Sequence, residues 1–265
     1  MLPSRHVWRF VLVALGSSLL GHFIGRSLHA DSPPAKEISP VLIPGGVADP
    51  EGKFGYVTNP KGGTDALRLA TGELLWTVKE VRPLIVSGNR LVAQAAVKDQ
   101  PKQFMLVVMD IAQSGARLTR SEPLTFPEWV SIERELSHSF STECRVVGNT
   151  LILSWRADAW SSVGSSLLSK PETPQRTAAS GRIQMDLTTG KTVSKPDENP
   201  VELNGPAEPR DVTLGTCRLM LAESAQAGQG FSRNIKRWLQ AIDAKSGKVL
   251  WEHNLAPEAV IPPAH

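Results

Sequence analysis

Short apolar runs separated by turn residues fill the chain from Val41 to Leu255. In the clearest stretch, residues 238–252, Leu239 and Ala241 alternate with polar positions, as do Val249 and Trp251. That period-two pattern predicts two half-buried strands joined by Asp243-Ala244-Lys245-Ser246-Gly247-Lys248. Gly247 supplies the reversal, since glycine takes φ > 0 without steric cost, and the Asp243 carboxylate is placed to accept backbone N–H groups of the turn. Weaker copies of the hairpin lie at 66–76, 183–193 and 107–116, the last with one extra turn residue. Each copy follows another strand-like run: Phe54–Thr58, Arg90–Ala96, 150–155 and 217–222. Further runs precede most of these, and Gly88-Asn89 and Gly148-Asn149 mark two-residue turns between them. The pattern predicts four units of about four strands each, at 39–79, 81–122, 140–196 and 208–255.

A repeat of about 40–50 residues built from four strands predicts a β-propeller-like array. Unrelated hairpins in a β-sandwich are the competing all-β reading. Two near-identical segments, Thr71-Gly72-Glu73-Leu74-Leu75-Trp76 and Ser246-Gly247-Lys248-Val249-Leu250-Trp251, favour the repeat. Residues 241–252 resemble the repeat of pyrroloquinoline-quinone (PQQ)-type propellers, whose signature closes each blade with a Trp docked between neighbours. The match is close at 238–252, good at 66–76, partial at 181–193 and poor at 107–119.

Ahead of the repeats, Arg5 and Arg9 precede an apolar run at 10–24, and Ser27-Leu28-His29-Ala30 offers a cleavage site. Residues 1–30 read as an export helix, either a cleaved signal peptide or an N-terminal anchor; the run is shorter than the ~20 residues that span a bilayer. Residues 31–40 read as a polar tether and 41–265 as the repeat domain, with 258–261 as one more short edge strand. Two insertions break the spacing. In the first, 122–139, Trp129, Ile132 and Leu136 fall on one face of a short amphipathic helix. The second, 156–180, is rich in Ser, Thr, Ala and Pro, and reads as an exposed loop carrying Trp160 and Leu167-Leu168.

Charge narrows the partners. The formal net charge is +3, and removing 1–30 takes three arginines and no acid, leaving 26 basic against 26 acidic side chains. No basic stripe with interleaved aromatics remains, which argues against nucleic-acid binding. The two cysteines, Cys144 and Cys217, fall in different units; they are two buried small hydrophobes unless oxidation pairs them.

The candidate chemistry is thin. Asp110, Asp186 and Asp243 recur at one repeat position, which suits turn stabilisation better than general-base work. His138, His253 and His265 lie in separate segments. Trp76 and Trp251 occupy the blade-closing position, where packing is the expected role. The resemblance implies either a non-catalytic branch that binds other envelope proteins or quinoprotein dehydrogenases that hold PQQ and calcium. The second implies a full ring of about eight blades and vicinal cysteines, and this chain has four units and no vicinal pair. The expectation is therefore an exported scaffold with no catalytic, cofactor or metal residues of its own, PQQ and calcium entering only under the alternative. Its partner would be another envelope protein, with the membrane touched only through 1–30. The second and third units lack the docking Trp, which points to an incomplete arc, with the tail strand or a homodimer covering its ends.

Overall fold

The computed structural model describes residues 36–100, 102–130, 132, 138–161, 175–196, 208–227 and 233–257. All belong to the compact unit Ala35–His265; residues 1–34, with the predicted export helix, lie outside the described residues, as does the predicted tail strand at 258–261. Among the described residues no helix is long and apolar enough to cross a membrane.

The described chain is all-β, in four antiparallel sheets that follow the four predicted units. The first holds β2 (Val41–Ile43), β3 (Gly46–Ala48), β4 (Phe54–Thr58), β5 (Thr64–Arg68) and β6 (Glu73–Val78) in that order. The second holds β7 (Val81–Ser87), β8 (Arg90–Ala96), β9 (Phe104–Asp110) and β10 (Ala116–Arg120). The third holds β11 (His138–Val147), β12 (Thr150–Ser161), β13 (Gln175–Asp186) and β14 (Thr192–Pro196), with β1 (Glu37–Ile38) added beside β11. The fourth holds β15 (Asp211–Leu214), β16 (Cys217–Ala227), β17 (Arg233–Asp243) and β18 (Val249–Leu255). Gly88 and Gly148 take φ of 57° and 60°, the left-handed values that their two-residue turns require.

Two sequence expectations need correction. Residues 37–38, assigned to the tether, pair with Val146 and Val147 as a strand. Much of the insertion at 156–180 is not loop: β12 and β13 pair continuously from Thr150↔Asp186 out to Ser161↔Gln175. Leu151, Leu153, Trp155 and Ala157 of β12, with Ile183 and Met185 of β13, anchor that hairpin in the core, and backbone pairing carries it on to Ser161↔Gln175. Part of the first insertion also belongs to the interior. Phe126 packs on Phe104, Phe140 and Trp155 at centroid distances of 5.2–5.4 Å, and Trp129 and Ile132 lie against the same core. Trp129 lies in a turn and Ile132 in a bend rather than a helix, and the rest of the predicted helix falls outside the described residues.

Each sheet buries alternate residues on opposite faces, so three cores form between neighbours. Ile43, Val57, Leu67 and Leu69 of the first sheet meet Leu219, Leu239, Ala241 and Leu255 of the fourth. Val47, Tyr56 and Ala66, on the first sheet's other face, meet Val86, Leu91, Val107 and Met109 of the second. Val92, Leu106 and Val108 then meet Val146, Leu151, Leu153 and Ile183 of the third. Fully burying each such Leu, Ile or Val favours the fold by about 1.5–3 kcal/mol. The sheets therefore pack in the spatial order fourth, first, second, third, and among the described residues no core joins the third to the fourth. The array is a propeller-like arc whose last sheet in sequence has been placed against its first.

Candidate functional site

The seam between the fourth and first sheets gathers the buried polar groups that look most like chemistry. Asp65 on β5 is 7% exposed. Its Oδ1 accepts from Asn59 Nδ2 at 2.8 Å and Thr77 Oγ1 at 2.7 Å, while its Oδ2 lies 2.9 Å from His253 Nε2 on β18. Strand alternation explains the meeting: Asp65 and Leu67 share the first sheet's face toward the fourth, and His253 and Leu255 share the face opposite. A second network lies along the same seam. Arg237, its side chain 7% exposed, donates to Glu208 Oε2 at 2.7 Å and Glu223 Oε1 at 3.1 Å, and Glu208 Oε1 accepts from the Gly45 backbone N–H at 2.7 Å.

A His–Asp pair in a cleft is a candidate for acid–base work, but the arrangement here points elsewhere. In a nucleophilic triad the imidazole stands between carboxylate and hydroxyl. The nearby hydroxyl, Thr77, donates instead to the carboxylate itself. Both networks satisfy buried polar groups where two sheets meet, and a buried carboxylate or guanidinium left unpartnered would cost far more than it contributes when paired. They act as latches. Of the histidines singled out from sequence, His253 is the one the structure ties into a network; the side chain of His138, and all of His265, fall outside the described residues.

The repeated aspartates do what their position predicts. Asp186 Oδ1 accepts the backbone N–H groups of Thr188 and Thr189, Asp243 Oδ1 those of Lys245 and Ser246, and Asp110 Oδ1 that of Ala112. These bonds hold the Asp186 and Asp243 carboxyls below the usual carboxylate range, through the Thr189 and Thr188 amides for the one and the Ser246 hydroxyl and amide for the other.

Cys144 and Cys217 are both buried and free, the first in the core between second and third sheets, the second in the core between fourth and first. Burial pushes the Cys144 thiol up to about 12 and raises that of Cys217 as well. Among the described residues no three His, Cys, Asp or Glu side chains group around one point, and the two cysteines lie in different cores.

Residues of the outermost strands mark the seams, tryptophans in two of them. Trp251 covers Gly72, where an added Cβ would sit 2.5 Å from its Cγ, and its Nε1 donates to Leu69 O at 3.0 Å. Trp76 covers Gly115 of the second sheet in the same way, at 2.9 Å. Thr119, at the equivalent place on β10, covers Gly190 of the third sheet together with the Arg120 carbonyl, its Oγ1 2.8 Å from where an added Cβ would sit. The outermost strand of each sheet also carries apolar residues that face water: Leu74 and Leu75 on β6, Leu118 on β10, Val193 on β14, and Val249 and Leu250 on β18, at 36–56% exposure.

No family model matches the chain, and no curated protein matches it. Among solved structures it is similar to BamB from Moraxella catarrhalis, at 16% identity and a TM-score of 0.30, over 77% of this chain and 62% of that one. A quinohemoprotein alcohol dehydrogenase from Pseudomonas putida HK5 aligns at 13% identity and 0.33, over 84% of this chain and 36% of that one. A europium-containing methanol dehydrogenase aligns at 12% and 0.25, over 77% and 61%. The chain thus spans less than two-thirds of each of these proteins. Likenesses of this size carry no argument about activity or partners.

Proposed function

We propose that this chain is an exported, non-catalytic binding module built on PQQ-like propeller repeats, which holds a polypeptide partner of the cell envelope against its outer rim. One observation carries the reading: exposed aliphatic side chains recur on the outermost strand of all four sheets. An edge strand leaves a row of unpaired N–H and C=O groups, and natural proteins usually blunt such edges with charge or proline. Here Leu74, Leu75 and Leu118 stand exposed beside the charged residues Glu73, Arg117 and Arg120, the combination of open backbone and apolar side chains that an added strand of a partner uses. The titratable groups of the fourth–first seam are committed to holding it, which supports a binding role over a catalytic one.

The test is retention of envelope proteins on the immobilised full chain, beside the variant Leu74→Glu/Leu75→Glu/Leu118→Glu. A protein held by the parent and lost by the variant, at an unchanged urea midpoint, is the expected outcome. Identical sets on both, or nothing on either, would end the proposal. Its location outside the cytoplasm rests on 1–30, and an alkaline phosphatase fusion after Pro40 should be active.

A further inference from the structure

Three of the four hairpin glycines are covered by the outermost strand of the neighbouring sheet, and one is bare. Trp251 sits on Gly72, Trp76 on Gly115, and Thr119 on Gly190. Gly247, in the same turn of the fourth sheet at φ 71°, has nothing within 4 Å. Each of the three covering strands has a bulge against its partner, between Ala66 and Leu67, between Arg117 and Thr119, and between Ala241 and Ile242. A bulge re-aims the residues that follow it, here toward the next sheet.

Among the described residues the fourth outermost strand, β14, covers no glycine. It pairs with β13 in unbroken register, Gln184↔Val193 and Ile183↔Ser194. Ile183 and Met185 face the second sheet, so Gln184 and Val193 face away from it. Val193 is 56% exposed, the largest value among the big aliphatic side chains on the described surface. The unused strand and the unused turn therefore stand at opposite ends of one arc. Next to the bare turn, the fourth sheet's face away from the first carries Met220, Trp238 and Ile242, all half-buried, and among the described residues Trp238 Nε1 is shielded from water without a hydrogen-bond partner. Among the described residues no neighbouring sheet packs on this face, whereas the other sheet faces of that apolar character are covered by one.

We infer that the occupant is a second copy of this chain: β14 of one copy lies over the Gly247 turn of the other, and reciprocally, so that two arcs close a two-fold ring of eight sheets. Both contacts set an outermost strand over a hairpin turn, as the three internal seams do, though β14 would present Val193 from an unbroken register where the others present a residue beside a bulge, and two seams use both free ends. A head-to-tail contact either closes or runs on as a filament; eight sheets is the upper end of the usual propeller range, so closure at two copies is the simple solution. The inference does not depend on the rim residues of β6 and β10, and the two proposals fail separately.

The full chain, at tens of micromolar, should scatter light as two chains of 28.7 kDa each. Val193→Asp should return it to a single-chain mass, and Leu118→Asp should not. Because Cys144 and Cys217 are buried, single cysteines at Val193 and at Lys248 report on the ends. Oxidising a mixture of Val193→Cys and Lys248→Cys should give a disulfide-linked pair, with neither variant linking to itself. A single-chain mass for the parent overturns the inference. So does self-linking of Lys248→Cys, which would mean that two fourth sheets meet, or an internal link in the double variant at single-chain mass, which would mean that four sheets close alone.

Discussion

Trp251 Nε1 donates a hydrogen bond to the Leu69 carbonyl across 182 residues of sequence, binding the last sheet of the chain to the first. The indole is half-buried and lies against the Gly72 turn. Trp251→Ala should cost about 2–4 kcal/mol, somewhat below the full range for a large buried aromatic. Trp251→Phe keeps the packing and loses the hydrogen bond, about 1 kcal/mol. Urea unfolding separates the two, and equal losses would mean that the ring contributes nothing beyond its N–H.

His253 and Asp65 clasp the same seam at 2.9 Å. His253→Ala leaves the buried carboxylate with two partners instead of three, at a cost of about 1–3 kcal/mol. Hydrogen exchange should quicken in β15–β18 and leave β7–β10 unchanged. Faster exchange spread evenly over all four sheets would show that the pair is not a local latch.

Acid should loosen the hairpins of the third and fourth sheets. Asp186 and Asp243 are held low when folded, so the folded state binds fewer protons than the unfolded chain at the same pH. Their stabilisation is complete above the unfolded value of about 3.9 and is lost as the pH falls through the lower folded values. In Asp186→Asn/Asp243→Asn the amide oxygen still accepts the turn N–H groups but no longer titrates. The fall in urea midpoint below about pH 4 should be shallower in this variant than in the parent.

Gly72 and Gly88 both take positive φ, at 73° and 57°, but only Gly72 lies beneath another sheet; nothing approaches Gly88 within 4 Å. Alanine at Gly88 bears the backbone strain alone, about 1 kcal/mol. At Gly72 the new methyl must also displace Trp251, adding about 1–3 kcal/mol of overpacking. Similar midpoints for the two variants would contradict the seam.

The thiol of Cys144, raised to about 12 by burial, should ignore a thiolate-directed reagent at pH 8 until the second and third sheets part. Two free thiols should be titrated in denaturant even after air oxidation, since the cysteines occupy different cores.

Much of this fold was legible locally. The Asp-x-x-x-Gly turns, the alternation on either side of them and the two-residue Gly-Asn turns are properties of a few consecutive residues, and β4 and β8 fall where the pattern placed them. The spatial order of the sheets was not legible, because it depends on which apolar face meets which. Asp65 and His253 stand 188 residues apart, and no spacing rule connects them. Residues 175–180 lack strand alternation, and β12 alone makes them a strand. The unbroken register of β14 could not be foreseen from Ser194 at the tryptophan position, since whether a strand bulges is decided by its partner.

Placing the fourth sheet against the first also sets a timetable. As the chain emerges, Ile43, Val57, Leu67 and Leu69 are in place long before Leu239, Ala241 and Leu255 exist to cover them. The entropy of closing so long a loop grows only with the logarithm of its length, so the seam is thermodynamically affordable yet has to form late. Until then one face of the first sheet is an exposed greasy surface. A nascent chain of this kind needs a holdase for nearly its whole synthesis, and truncations that remove the last fifty or so residues should aggregate rather than leave a smaller folded arc.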